Sequence, residues 1–488
     1  MLRNLILLLI IATKLYAQNI SVHQIQSNFY SDNKNTITKQ SKSFSFEGNK
    51  KLLTKSIFGY LPWWEYIAGA NQNIRYDLLT HLSIFSFEVD SLGNLKDPLN
   101  WPWIDVLNAA SQNNVKLILA ITNFSPHEIH KILITTEVKQ KLFENLSSRI
   151  KEYNFSGVNV DFENVRDEDK NLIITNFFVE LKKYLNQVKP NVELSFASPS
   201  VNFGGWNFES LVQVCDYLFV MCYDYYGSWN DFTAPTAPLT GTLFNITKSF
   251  ENDYGTIVKA QPEKLILGVP YYGNYWKTKS KDAYTKVDTT KANREWVSHL
   301  TYEQIIPTYE RYEKLWDDLS KTPWIRWYDT KWNQIWYDDE NSLSLKYDFA
   351  IQKKLKGIGI WALGYDGNRN ELWNLIDKKF SEPSAVEIKE LPSGFILYQN
   401  YPNPFNPETI ISYKLSSSSF VRLKIYDMLG NEVAQLINEI QQEGIHNYTF
   451  STLHYSLPSG VYFYKLEVQT NTYPSAKNYQ VKKMILLH

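Results

Sequence analysis

The chain predicts an α/β fold, a (β/α)8 TIM barrel with an inserted small α+β subdomain, followed by a C-terminal all-β sandwich domain. Three observations predict it. Eight short apolar runs between Ile57 and Gly367 alternate with helix-length spacers. The spacer before the eighth run is too long for one helix and becomes aromatic and alternating. Beyond a Pro- and Ser-containing stretch, the pattern changes to strands bounded by turn residues. At 488 residues the chain has room for both parts.

The opening MLRNLILLLIIATKLYAQN has Arg3, an apolar run from Leu5 to Ala12, and Ala17 before Gln18. This is the layout of a signal peptide over 1–17, and its apolar run is too short to span a bilayer. No other stretch reads as transmembrane, so no membrane span is expected in the mature protein. Residues 18–52 are rich in Ser, Asn, Gln and Lys without helical or strand period, and read as a polar linker with no chemistry of its own.

The barrel is expected over 53–380. Its strand candidates are SIFGYLPWW, LTHLSIFSFEV, VKLILAITNF, FSGVNVDFENV, VELSFASPSV, DYLFVMCYDYYG, KLILGVPYYG and GIGIWALGYDG. The insertion is placed at 276–340, where REWVSHLTYEQI and WIRWYDTKWNQIWYDD alternate as a small antiparallel sheet does. Residues 381–394 read as a linker, and 395–488 as the sandwich, with strands ETIISYKL, FVRLKIYDMLG, HNYTF and GVYFYKLEV.

Fifty basic side chains against 51 acidic ones give no global field for nucleic acid or anionic lipid, so neither is an expected partner. The two cysteines, Cys215 and Cys222, fall in one apparent strand, too far apart for a disulfide, and are expected to be buried free thiols. His127 and His130 are three residues apart, a solvated helix face and not a metal pair. No metal or cofactor is expected. Tyr60, Trp63 and Trp64 suit a sugar groove and barrel-rim packing equally well, and of Trp324, Trp327, Trp332 and Trp336 at least half are expected in the subdomain core.

The fourth run carries the chemistry. In an extended strand Gly157, Asn159, Asp161 and Glu163 share one face, and Val158, Val160 and Phe162 the other. Barrel sites stand at the C-terminal ends of strands, where Asp161 and Glu163 would point into the mouth. Their mutual repulsion raises the proton affinity of one and readies it as a general acid. Alone, such a pair is more often a solvated edge or a helix cap.

In company, it resembles the family 18 chitinases and their relatives, whose strand-four motif is D-G-x-[D/N]-x-D-x-E. Here it reads Ser156-Gly157-Val158-Asn159-Val160-Asp161-Phe162-Glu163, followed in order by MCYDYYGSW from Met221, LGVPYYG from Leu267, and GIGIWALGYDG with Trp361. The resemblance implies a secreted, retaining hydrolase of β-1,4-linked N-acetylglucosamine polymers, chitin or related. In it Glu163 would protonate the leaving oxygen and then activate water. The substrate's own acetamido group would be the nucleophile, oriented by Asp161 and Tyr223. Asn159, Met221, Asp224, Tyr272, Tyr60 and the floor Trp361 would line the substrate.

Ser156 and Asn159 depart from the commoner aspartates. VNVDFENV looks more like relatives acting on bacterial cell-wall N-acetylglucosamine, and YDYYGSW more like chitinases. A non-hydrolytic carbohydrate-binding protein on the same barrel is the alternative of another class. The pieces YQNYPNPFNPET, IYDMLGNEV, LPSGVYFYKL and KKMILLH resemble the sorting domain read by the type IX secretion machinery. They imply a protein secreted from, or displayed on, a Gram-negative bacterium; a carbohydrate-binding sandwich is the competing reading.

Overall fold

The computed structural model describes residues 21–37, 39, 50–287, 295–382, 395–400, 402–455, 457–470 and 478–487. The expected signal peptide lies outside them, as does most of the linker 381–394. The chain divides into two compact units, Met1–Pro383 and Ser384–His488.

The first unit is a closed barrel of eight parallel strands: Ser56–Pro62, His81–Val89, Lys116–Asn123, Gly157–Phe162, Glu193–Pro199, Tyr217–Met221, Leu265–Pro270 and Gly357–Trp361. Neighbours in sequence pair in order, and the first strand closes the ring by pairing with both the second and the eighth. The fourth strand is held in register by the third, with Thr122 opposite Asp161, and by the fifth, with Ser195 opposite Asn159.

Helices cover the outside because their apolar residues recur at helical spacing. In Leu172–Val188 the buried set is Ile174, Phe177, Phe178, Leu181 and Leu185. In Thr136–Tyr153 it is Val138, Leu142, Phe143, Leu146, Ser147 and Ile150, and Asn154 ends that helix at a left-handed φ of 57°. Inside, the eighth strand needs glycine at 359, where an added Cβ would lie 2.0 Å from the ring of Phe219. The phenyl group fills the barrel where a side chain on the strand would otherwise stand.

The insertion is a five-stranded antiparallel sheet with the helix Tyr302–Arg311, and it starts earlier than the aromatic run suggested, at strand Tyr272–Thr278. Trp324 and Trp336 stack at 5.0 Å in its core, and Trp327 stacks between Tyr275 and Tyr312. The cysteine reading needs one correction. The sixth strand covers only Tyr217–Met221, with Cys215 capping the preceding helix; both thiols are buried and free.

A second correction concerns the polar segment after residue 18. Val22–Asp32 is an α-helix, N-capped by the Ser21 side chain, which accepts from the Gln24 N–H. Hydrophobic periodicity misses it because its buried positions are Val22, His23, Gln26 and Ser27, mostly polar. Among the described residues no helix is long and apolar enough to cross a membrane.

The second unit is a sandwich of a three-stranded and a four-stranded antiparallel sheet. In Ser419–Tyr426 burial alternates residue by residue, and Val421, Leu423 and Ile425 meet Ile411, Tyr413 and Leu415 of the other sheet in one core. Each unit thus has its own core. A chain ended at residue 383 is expected to keep the barrel's unfolding temperature, checked by calorimetry against the full-length protein; a loss of several degrees would show that the barrel needs the sandwich.

Candidate active site

The C-terminal ends of the strands form a mouth, and the fourth strand delivers its acidic face there. Val158, Val160 and Phe162 turn outward to the helices, Phe162 meeting Phe177. Asn159 and Asp161 turn inward and are fully buried. Asn159 accepts from the Tyr60 hydroxyl at 2.8 Å and donates to Ser195 Oγ at 2.9 Å. Asp161 stands one step higher, and Glu163 follows the strand's last residue, its side chain 11% exposed. Ser156 is at the opposite end of the strand, so that departure lies away from the mouth.

The sixth, seventh and eighth strands complete the ring. Tyr223 follows the sixth strand, and Asp224 turns the chain there at a left-handed φ of 54°, which Asp tolerates better than most residues. The Asp224 carboxylate accepts from the Tyr272 hydroxyl at 2.5 Å and from Thr236 Oγ1 at 3.2 Å. Trp361 ends the eighth strand, fully buried beneath the mouth.

The N-terminal helix enters this ring. The His23 imidazole lies on Trp361, with ring centroids 3.6 Å apart and planes inclined by 28°. Its Nδ1 is 2.8 Å from Asp161 Oδ2 and 3.3 Å from Glu163 Oε1, and its Nε2 is 3.0 Å from the Tyr223 hydroxyl. Ser21 Oγ donates to Glu163 at 2.8 Å, and the Val22 N–H donates to Asp224 at 3.0 Å. Gln26 Oε1 accepts from Trp361 Nε1 at 2.9 Å and from the Tyr365 hydroxyl at 2.8 Å.

Burial raises the proton affinity of Glu163, and the Asp161 charge raises it further; hydrogen bonds and charge from His23, with the bond from Ser21, offset part of this. For His23 burial favours the neutral ring, but Asp161 and Glu163 outweigh it and push its pKa up to about 10. This favours the ring as an imidazolium, which donates from both nitrogens. Asp161 keeps its second oxygen, Oδ1, buried and unpartnered.

Of the residues singled out from sequence, Glu163, Asp161, Tyr223, Asp224, Tyr272 and Trp361 meet at one point. Tyr60 and Asn159 lie a layer below, Tyr60 fully buried among Phe58, Phe85 and Phe219 and edge-on to His23 at 5.9 Å, so it packs the barrel interior here in place of an open groove wall. Met221 borders a cavity of about 520 Å³ beside Glu163, with Phe203, Trp206 and Trp229. His130 pairs with the buried Asp169 at 2.9 Å. Missed by sequence reasoning were Ser195, Tyr365 and the whole helix contact; the only local signal for the helix was the capping Ser21.

Paired carboxylates at a barrel mouth, over an indole floor and beside a cavity, define a glycoside hydrolase. The comparisons give its family: residues 56–366 match Glycosyl hydrolases family 18, and the chain belongs to that family. Residues 399–483 match the Secretion system C-terminal sorting domain, a type IX sorting domain, which marks the chain for secretion or the cell surface. The chain is 26% identical over 359 residues to Probable chitinase 2 of Drosophila melanogaster, covering 64% of this chain and 72% of that protein. It is 24% identical over 338 residues to the cortical fragment-lytic enzyme of Bacillus anthracis, covering 66% and 72%. The crystal structure of a family 18 chitinase from Cycas revoluta in complex with (GlcNAc)3 shares the fold, with a TM-score of 0.58 at 18% identity over 66% of this chain and 99% of that one.

The layer beneath the carboxylates supports them. Tyr60→Phe leaves the buried Asn159 carbonyl without its donor and is expected to cost about 1–3 kcal/mol, read from urea unfolding; a change within error would show that the bond carries no weight.

Proposed function

We propose that the chain hydrolyses β-1,4-linked N-acetylglucosamine polymers with retention, through substrate-assisted catalysis. The observation that carries this reading is the convergence of Asp161, Glu163 and Tyr223 on a flat ring seated on Trp361. The His23 ring there donates N–H to Asp161 and approaches Tyr223 and Glu163. A sugar with a 2-acetamido group presents the same elements, a face to stack and an amide N–H to donate.

In the first step Glu163 gives its proton to the glycosidic oxygen as the bond to the anomeric carbon breaks. The acetamido carbonyl oxygen forms the new bond to that carbon, leaving an oxazolinium ion. Asp161 accepts the amide N–H and offsets the positive charge, while the Tyr223 hydroxyl bonds the carbonyl side. In the second step the Glu163 carboxylate takes a proton from water, whose oxygen attacks the anomeric carbon and opens the ring. Burial and the Asp161 charge both raise the proton affinity of Glu163, the direction the first step requires.

Two polymers fit this chemistry. Chitin is favoured by the chitinase relatives. Bacterial cell-wall N-acetylglucosamine is favoured by the neutral Asn159 and by the similarity to a cortical fragment-lytic enzyme. Product analysis on chitin oligomers beside peptidoglycan separates them. The sorting domain is taken to direct the barrel outward from a Gram-negative cell.

Glu163→Gln keeps the shape of the site but has no proton to give, so kcat should fall by at least about 10²–10⁴-fold with oligosaccharide binding intact. If wild type and variant both bind and neither turns over, the carbohydrate-binding alternative is correct. Asp161→Asn should slow turnover by about 10²–10³-fold, since the amide loses its acceptor and the cation its counter-charge. It should also move the alkaline limb of kcat/KM to lower pH, because Glu163 then releases its proton more easily. The shift is partial, since burial persists; a limb that stays put or rises would show that Asp161 does not tune the acid.

A further inference from the structure

We propose that the helix Val22–Asp32, with its cap Ser21, is an internal competitive inhibitor, and that His23 occupies the cleft as a mimic of the cationic ring formed during hydrolysis. This rests on the function proposed above. Beside contacts to Phe85, Asn164 and Tyr365, the helix covers five groups assigned to sugar binding or chemistry: Glu163 by Ser21, Asp224 by the Val22 N–H, Asp161 and Tyr223 by His23, Trp361 by His23 and Gln26.

The mimicry is chemical. An oxazolinium ion and an imidazolium are both planar, five-membered and cationic. A site built to stabilise the first on an indole floor, with a carboxylate at its N–H, stabilises the second for the same reason. The helix adds its own field, because its N-terminus, where the backbone N–H groups carry partial positive charge, faces Asp161, Glu163 and Asp224. Further along, Tyr30 stacks on Trp64 at 5.0 Å and 13°, extending the occupied region along the aromatic wall.

Beside Glu163 a cavity of about 520 Å³ stays open, bordered by Phe203, Trp206, Trp229 and Met221 and, on the helix, by Ser21, Val22 and His23. The helix thus excludes the sugar that would carry the anomeric carbon and leaves room for the leaving group. An oligomer spanning the cleft must displace the helix to react. The interface is polar and stacking, as a sugar's would be, so exchange between the two is a competition for the same contacts and needs no unfolding of the barrel.

The test uses the full chain. His23→Ala and, with stronger effect, His23→Asp, which sets a third carboxylate against Asp161 and Glu163, should raise kcat/KM on a fluorogenic N-acetylglucosamine oligomer at least tenfold. The gain should lie in KM; tenfold corresponds to a helix seated roughly nine-tenths of the time. Tyr30→Ala, which disturbs only the distal stack, should act in the same direction more weakly. An N-acetylated peptide of residues 21–37 should inhibit the His23→Ala chain competitively.

The effect should depend on pH. The groups facing His23 are Asp161 and Glu163 from the fourth strand, Tyr223 and Asp224 after the sixth, and Tyr60 from the first. Its pKa is about 10 when seated and 6.5 in its ordinary state. Seating is therefore favoured fully below 6.5 and weakens as pH rises towards 10. The ratio of variant to wild-type kcat/KM should shrink over that interval.

Nuclear magnetic resonance of the His23 ring gives a readout independent of substrate. Protonation persisting at pH 8.5, lost on adding saturating oligomer, supports the proposal. Titration near the ordinary histidine value without ligand, or kinetics unchanged in all three variants of an active enzyme, overturns it. A ring that stays protonated in a chain that neither binds nor cleaves any oligomer, with or without the substitutions, overturns the hydrolase reading and the mimicry together. An active enzyme with an unseated helix overturns the inhibitor alone.

Discussion

Asp161 and Glu163 stand two residues apart on one face at the end of a buried strand, and the top of the barrel is organised around holding two carboxyl groups there. Burial removes the water that would solvate them, and with the Asp161 charge it disfavours ionisation of Glu163. Closure of the barrel makes the arrangement possible, because it brings Tyr223, Asp224 and Trp361 from other strand ends to the same rim. Below, Asn159 is tied to Tyr60 and Ser195, so the strand cannot tilt without breaking buried hydrogen bonds.

The same constraint explains why a histidine from a distant part of the chain fits so closely. An acidic, dry pocket with an aromatic floor favours a flat cation that can donate hydrogen bonds. The imidazolium of His23 satisfies both carboxylates at once, and Ser21 donates a further hydrogen bond to Glu163. Under the reading proposed for the reaction, the cation that belongs there exists only while the glycosidic bond is being exchanged. Inhibition and catalysis then draw on one electrostatic feature.

The inserted sheet contributes through one hydrogen bond more than through its mass. Its first strand begins at Tyr272, whose hydroxyl holds Asp224, and Asp224 in turn receives the first free N–H of the helix. The tryptophans that make the insertion conspicuous in the sequence mostly pack with one another. The sorting domain has a separate core, and its alternation of buried and exposed residues is that of a sandwich that folds on its own pattern.

By itself the sequence determined what depends on local periodicity and on short motifs: eight strands with helical spacers, the sandwich, and the face shared by Asn159, Asp161 and Glu163. Those follow from the two-residue repeat of a strand and the 3.6-residue repeat of a helix, which need no knowledge of distant partners. Trp361, Tyr223 and Tyr272 could be named because their motifs recur in order, although not how near they would come to Asp161. Tertiary structure alone decided that Tyr60 lies beneath the site, that Cys215 ends a helix, and that residues 21–32 are ordered at all. The last was hidden because the helix is held by hydrogen bonds and ring stacking to groups about 140 to 340 positions away along the chain. Its buried face is mostly polar while Phe29 is exposed, so beyond the capping Ser21 little local announces it, and the finished cleft supplies the partners that hold the helix.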